Sequence, residues 1–256
     1  MSRIKFNYRT RVIFSNAIKN HSFLLRCVPP DNDYQQIVGA SCRISPEVNF
    51  SRSWDSFGNI VIDGHIDSPH DYFEYESQGE AYLYEPYALH EPLNRIYYYP
   101  SPYTRPDEGL RRLLNSVSLN EYGSVTGRVT KLAAAVYRSL EYSPNTTNVS
   151  TTAMQALMLR KGVCQDYAHV LIALCRSVGI AARYVAGFLE GETLTHAWVE
   201  YYDGDAWRAV DPTHNRIVKT GYIKLSHGRD FDDCSIERGL FTGIVSQRLE
   251  VSLSVF

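Results

Sequence analysis

The chain has 256 residues, 44% of them hydrophobic and 21% charged, with 26 basic and 28 acidic side chains and a net charge of −2. Such a composition belongs to a globular chain long enough for one large or two ordinary domains with buried cores. Charge is nearly even in both parts, 10 basic against 12 acidic groups over 1–106 and 16 of each over 107–256, which argues against a nucleic-acid or anionic-membrane surface, and no apolar run of ~18 residues offers a membrane span.

Residues 3–14 alternate polar and apolar side chains as a half-buried strand does. They lack the apolar centre and small-residue cleavage site of a secretory leader. Stretches near 22–28, 35–45, 57–66 and 71–84 alternate in the same way, and Gly58-Asn59 predicts a turn. Together they predict a β-sandwich-like domain over 1–99. The tyrosines crowded between 72 and 103 suit half-buried strand positions. Three prolines over 100–106 (PSPYTRP) can extend neither helix nor sheet and predict a linker.

Over 107–256 the period changes. Helices are predicted over 107–115 and 126–142, the latter from Leu132, Val136 and Leu140 at a spacing of four. After a polar loop at 143–150, Thr151 or Thr152 can cap a helix running to about Lys161. A further helix is predicted from Cys164 to about Val178, with Ala168, Leu171, Ile172 and Cys175 on a buried stripe and Gly179 ending it. Strands are predicted at 181–188, 195–202, 206–211, near 220–226 and at 248–255, the last with Leu249, Val251, Leu253 and Val255 on one face. The five cysteines, Cys27, Cys42, Cys164, Cys175 and Cys234, are odd in number and widely spaced. That predicts reduced thiols and a cytoplasmic location rather than a disulfide framework.

Cys164 stands out because it opens a helix. Unpaired N–H groups and the helix dipole at that end favour thiolate over thiol, and Gly162 allows a sharp turn or a close backbone approach just before it. A second feature lies downstream. Residues 196–202 (HAWVEYY) and 205–211 (DAWRAVD) flank Asp203-Gly204, a strong two-residue hairpin signal. That loop would set His196 directly opposite Asp211 on one face, with Trp198 and Glu200 beside His196 and Ala197, Val199 and Tyr201 on the other face. A carboxylate there can fix the imidazole tautomer. Cysteine, histidine and aspartate so placed are the parts of nucleophilic acyl transfer. The backbone N–H of Cys164 is the expected first oxyanion donor, with Gln165 a candidate second.

Other positions are weaker. Asp166 suits capping or a substrate contact, Trp198 a cleft wall, His169 a structural hydrogen bond, His214 the cleft rim, and Cys175 an inert core position. No C-x-x-C, H-x-x-x-H or H-E-x-x-H spacing points to a metal, and no glycine-rich phosphate loop points to a nucleotide. No metal and no cofactor are expected.

Residues 160–188 (RKGVCQDYAHVLIALCRSVGIAARYVAGF), THAWVE at 195–200 and VDPTHN at 210–215 together resemble the transglutaminase-like superfamily, and within it the bacterial transglutaminase-like cysteine peptidases. TTNVSTTAMQAL at 146–157, HGRDFDD at 227–233 and the terminal LEVSLSV extend the resemblance, and 1–99, with FGN at 57–59, resembles the N-terminal domain often attached to such cores. The resemblance implies an α+β fold: a papain-like core over 107–256, its nucleophile helix packed on an antiparallel sheet, behind the β-sandwich-like domain. It implies Cys164 as nucleophile, His196 as general base and acid and Asp211 as orienting group, with no calcium requirement. The expected activity is hydrolysis or exchange of an amide through a Cys164 thioester. The expected substrate is a peptide, a protein or a small amide. A catalytically inactive peptide-binding or scaffold module of the same fold is the alternative, and the substrate, the choice of water or amine, and the oligomeric state stay open.

Overall fold

A computed structural model describes residues 1–119 and 123–256. Five strands open the chain: β1 (Ser2–Leu25), β2 (Gln35–Ser45), β3 (Phe50–Trp54), β4 (Ile60–Ile66) and β5 (His70–Leu83). The stretch 3–14 and residues 22–25 of the stretch 22–28 are one strand, because β1 runs through an irregularity in its pairing with β5 between Ile13 and Ile18 and ends at Leu25. Ile4, Phe6, Tyr8, Val12 and Phe14, at alternate positions, are buried, as period-two burial requires. The strand order is β2-β5-β1-β4-β3.

Short 3-10 turns at Arg95–Tyr98 and Pro102–Thr104 lead to helices α1 (Glu108–Asn115) and α2 (Val125–Ser139). The latter stops three residues short of its predicted end, because Leu140 turns extended and feeds β6 (Glu141–Tyr142). Helix α3 (Ala153–Leu159) is capped by Thr152 and closes on Arg160 in the left-handed region. Then follow β7 (Lys161–Gly162), which pairs with β6, and α4 (Cys164–Ser177). The stripe residues Ala168, Leu171, Ile172 and Cys175 are all inaccessible.

Strands β8 (Ala182–Leu189), β9 (His196–Tyr202), β10 (Trp207–Asp211), β11 (Arg216–Ile217) and β12 (Tyr222–Gly228) form an antiparallel sheet in the order β11-β10-β9-β8-β12. After a short helix α5 (Phe231–Cys234), strands β13 (Glu237–Thr242) and β14 (Gln247–Val255) leave this sheet and pair with β1. On β14, Leu253 and Val255 are buried and Leu249 is 60% exposed, so only the end of its predicted apolar face packs.

The β8–β12 sheet is covered on both faces. Ala197, Val199 and Tyr201 pack with Leu171, Val136 and their neighbours on the helical side. Trp198, Val185, Phe188 and Trp207 join the core of the first sheet on the other, where Phe6 and Tyr8 meet the Phe188 ring at 5.7 and 5.1 Å. Asn59, of the FGN stretch, donates to the His227 carbonyl and accepts from its N–H, both at 2.8 Å.

That second face also encloses charge. Glu200, fully inaccessible, is ion-paired with Arg183 and Lys224 and accepts from the Tyr87 hydroxyl. Arg183 reaches Glu91 at 2.7 Å and lies 4.1 Å from the Trp207 ring centre. Burial and the nearby Arg183 and Lys224 charges push His227 far down, so it accepts from Arg183 as a neutral ring. Removing Glu200 leaves two buried cations short of a counter-charge. Glu200→Ala is therefore expected to cost about 3–5 kcal/mol, read as a lower urea midpoint at unchanged slope. A loss below about 1 kcal/mol would mean that the remaining partners suffice.

Candidate active site

Helix α4 presents Cys164 at its first turn because the residues before it are tied down. Asp166 folds back so that Oδ2 accepts from the Val163 N–H at 2.8 Å and from Thr147 Oγ1 at 2.7 Å. A Cβ at Gly162 would stand 2.6 Å from the Asp166 carboxyl, so only glycine admits this turn. The Tyr167 hydroxyl donates to the Leu140 carbonyl at 2.8 Å, fixing the helix against the end of α2. Cys164 itself is partly exposed.

The β9–β10 hairpin brings in the other two groups, in a register two residues away from the predicted one. Tyr202 pairs with Trp207, Tyr201 with Arg208, Glu200 with Ala209 and Val199 with Val210. The loop is longer because Asp203 Oδ1 accepts the N–H groups of Asp205 and Ala206, both at 2.9 Å, closing a turn over 203–206. His196 is therefore not directly opposite Asp211. A shift of two keeps every side chain on its face, and the pair meets along a diagonal: His196 Nε2 lies 2.9 Å from Asp211 Oδ2.

Asp211 is fully inaccessible and surrounded by donors. Oδ2 receives His196, His214 Nδ1 at 2.7 Å and the Tyr222 hydroxyl at 2.7 Å. Oδ1 receives the backbone N–H groups of Thr213 at 2.9 Å and His214 at 3.2 Å. Arg216 Nε in turn donates to the Tyr222 oxygen at 2.8 Å. Burial alone would raise the Asp211 carboxyl, but its hydrogen bonds to His196, His214 and Tyr222 and the His196 charge hold it far below the usual range. Burial likewise pulls His196 down, and hydrogen bonds and charge from Asp211 and Cys164 overcome it and lift it to about 10. With Nε2 on Asp211, Nδ1 is the ring nitrogen left for Cys164.

The neighbouring positions take other places. Asp166 is buried and spent on the turn before Cys164. Gln165 Nε2 donates to the Val149 carbonyl at 3.0 Å. Trp198 has no exposure and lies beneath His196, near parallel, with ring centres 6.4 Å apart. Gly187, paired with His196, makes room for it: a Cβ there would stand 2.5 Å from the indole and 2.2 Å from the Ile223 carbonyl. These three shape the site from behind. His169 is buried between Tyr103 and Tyr184 and accepts from the Phe231 N–H at 3.2 Å. Cys175 is buried and its thiol is pushed up to about 12.

Three residues that sequence reasoning undervalued or missed touch the site. His214 is exposed and also donates to Asp211 through its backbone and its ring. The Asp-Pro-Thr-His spacing is that of a turn closed on its own aspartate, which was the available signal. Tyr222 arrives from β12 and carries no such signal. Tyr142, 54% exposed, lies within electrostatic reach of Cys164: burial and the Cys164 charge both raise its phenol.

Ligand atoms of His196, Asp211 and His214 lie within 4.8 Å of one another, a donor set able to hold a cation. The hydrogen bonds just described use those same atoms, so a cation would displace them. A cavity of about 690 Å³, lined by Arg112, Arg138, Met154, Met158 and Arg160 among others, lies apart from these residues.

Residues 112–212 match the transglutaminase-like superfamily, and residues 4–81 match the bacterial transglutaminase-like N-terminal region. An uncharacterized protein of Mycobacterium leprae is 26% identical over 100% of this chain and 99% of its own length. A protein-glutamine gamma-glutamyltransferase of Pseudomonas aeruginosa is 38% identical over 68 residues, 22% of this chain and 10% of its own. A structure titled as a "putative cysteine protease" from Cytophaga hutchinsonii superposes with a TM-score of 0.78 at 21% identity, over 100% of this chain and 91% of that one, and so shares the fold.

The charged His196–Asp211 pair has a pH signature. A lowered aspartate stabilises above its unfolded value near ~3.9, and a raised histidine stabilises fully below ~6.5 and loses its contribution as pH climbs through the folded value, here about 10. The stability difference between the native chain and Asp211→Asn is expected to be widest from pH about 4 to about 6.5 and to shrink toward pH 10. Guanidinium unfolding at stepped pH reads it, and a difference flat across that range would contradict a charged pair.

Proposed function

The chain belongs to the transglutaminase-like superfamily, with a core at 112–212 behind a bacterial transglutaminase-like N-terminal region at 4–81, and on that premise we propose that it is a thiol enzyme hydrolysing or exchanging an amide bond through a Cys164 thioester. The observation that carries this reading is the convergence of Cys164 and a buried, charged Asp211 on one imidazole, His196.

His196 Nδ1 takes the Cys164 proton, giving a thiolate–imidazolium pair in which each charge stabilises the other. Asp211 on Nε2 fixes the tautomer and balances the imidazolium. The thiolate adds to the amide carbonyl carbon. The developing oxyanion faces the helix N-terminus, where the Cys164 N–H donates to it. Collapse expels the amine, which leaves with the proton from Nδ1, and the acyl group remains as a thioester. Water or a second amine, deprotonated by the same imidazole, then releases it. Trp198 beneath the ring and Tyr222 on the carboxylate keep bulk water from the Asp211–His196 contact. Exposed apolar groups flank the site's residues along the chain. The Cys164 charge reaches Tyr142, Val149 is 62% exposed where Gln165 is anchored, and Leu194 is 59% exposed two residues before His196. These suit an acyl donor with an apolar flank, a peptide or protein segment above all.

Thiol reactivity tests the reading before any substrate is known. Alkylation of Cys164 by iodoacetamide, resolved from the other thiols by peptide mapping, is expected to be fast below pH ~7 and to slow to ordinary thiol behaviour in His196→Ala. An apparent pKa near ~8.5 in both proteins would reduce Cys164 to an ordinary thiol and leave a binding module. With a substrate in hand, Cys164→Ala is expected to abolish turnover while leaving the fold intact.

A further inference from the structure

Two thiols that this mechanism does not use lie side by side in the N-terminal sheet. Cys27 follows the end of β1 and is fully buried, while Cys42 lies in β2 and is partly exposed. Their Sγ atoms are 3.8 Å apart. A disulfide spans ~2.05 Å, so closure needs a combined movement of about 1.8 Å. The structure can yield at that point. The pairing of β2 with β5 slips between Val38 and Ser41, immediately before Cys42, so the ladder is already broken there. Cys175 and Cys234 are each buried elsewhere, and Cys164 belongs to the site described above.

We propose that Cys27 and Cys42 form a reversible disulfide modification site, closed by a low-molecular-weight disulfide of the oxidised-glutathione class. Two exchange steps do this. The Cys42 thiolate attacks one sulfur of the reagent, a Cys42–glutathione bond forms, and one glutathione thiolate leaves. The Cys27 thiolate then attacks Cys42 Sγ, the intramolecular bond forms, and the second glutathione thiolate leaves. Two protein thiols are oxidised, one reagent disulfide is reduced, and the two protons end on the two glutathione thiols. Exposure sets the order, since the reagent reaches Cys42 and not Cys27. The hydrogen bond from Cys27 also holds the Cys42 thiol below its ordinary value, while that contact and burial raise Cys27 well above its own.

The bridge would close residues 28–41 into a loop, and this loop fastens the first sheet to the second. The Tyr34 hydroxyl donates to the Lys219 carbonyl at 2.7 Å. Gln35 Nε2 donates to the Lys224 carbonyl and its Oε1 accepts the Lys224 N–H, both at 2.8 Å. The receiving strand, β12, is the one that brings Tyr222 to Asp211. Closing the ring removes freedom from the unfolded loop and favours the docked arrangement.

The inference does not depend on the proposed catalytic reading. The full chain is equilibrated with oxidised and reduced glutathione at stepped ratios, then blocked with a maleimide and mapped. Two of the five thiols are expected to disappear together, with the peptides of Cys27 and Cys42 linked at a mass about 2 Da below their sum. Reduced glutathione is expected to restore both, and the bridged form to melt at a higher temperature. Cys27→Ser is expected to stop at a Cys42–glutathione adduct, and Cys42→Ser to leave Cys27 untouched. Cys27 and Cys42 both free under oxidising ratios, or an adduct on Cys42 that Cys27 never resolves in the unsubstituted chain, would overturn the proposal. The map reads Cys164 separately, so failure here is distinguishable from failure of the thiol chemistry proposed above.

Discussion

A carboxylate with no exposed surface must hold its charge by what surrounds it in the protein, and Asp211 is such a group. Burial drives it toward neutrality, and five donors drive it back. Those donors come from three places: His196 on β9, Tyr222 at the start of β12, and the turn over 211–214. The local architecture follows from bringing the three together. The β9–β10 hairpin supplies the diagonal to His196, the Asp-Pro-Thr-His turn supplies two backbone N–H groups and an imidazole, and β12 supplies a phenol already polarised by Arg216. A neutral Asp211 would have no reason to collect so many donors, and an exposed one would have no need of them.

That the helix opened by Cys164 and the hairpin were legible in the sequence has a physical basis. A helix-opening cysteine behind a glycine is a local pattern, and so is an alternating pair of strands around a turn. The hairpin register was not legible, because Asp203 caps two N–H groups of its own loop and lengthens it. The error did no harm to the face assignment, since strand faces repeat every two residues. Tyr222, the Cys27–Cys42 contact and the return of β13 and β14 to β1 were beyond reach for a shared reason. Alternation announces a strand but not its partner, and none of these contacts is local.

The second sheet explains how two family regions behave as one body. Sheets that are covered on both faces read as nearly continuous apolar runs, and β8 is buried at every position. Helices cover one side and the N-terminal sheet covers the other. The Glu200–Arg183–Lys224 cluster sits on that second side, with Tyr87 and Glu91 brought to it by the segment after β5. The site's own face is the same one: His196, Trp198 and Glu200 alternate along β9. The strand that presents the His196 imidazole is thus supported by the first sheet.

Strand β1 has a consequence for how the chain comes off the ribosome. Its residues 6–14 pair with 247–255, which are synthesised long after it. Until then one long edge has its partner in β5 and the other lies open with its N–H and C=O groups unpaired. Contacts of such sequence separation slow folding, and an open alternating edge invites pairing with another chain. The nascent protein therefore passes through an interval in which this strand has one edge open, and the delay ends only when β14 closes the sheet.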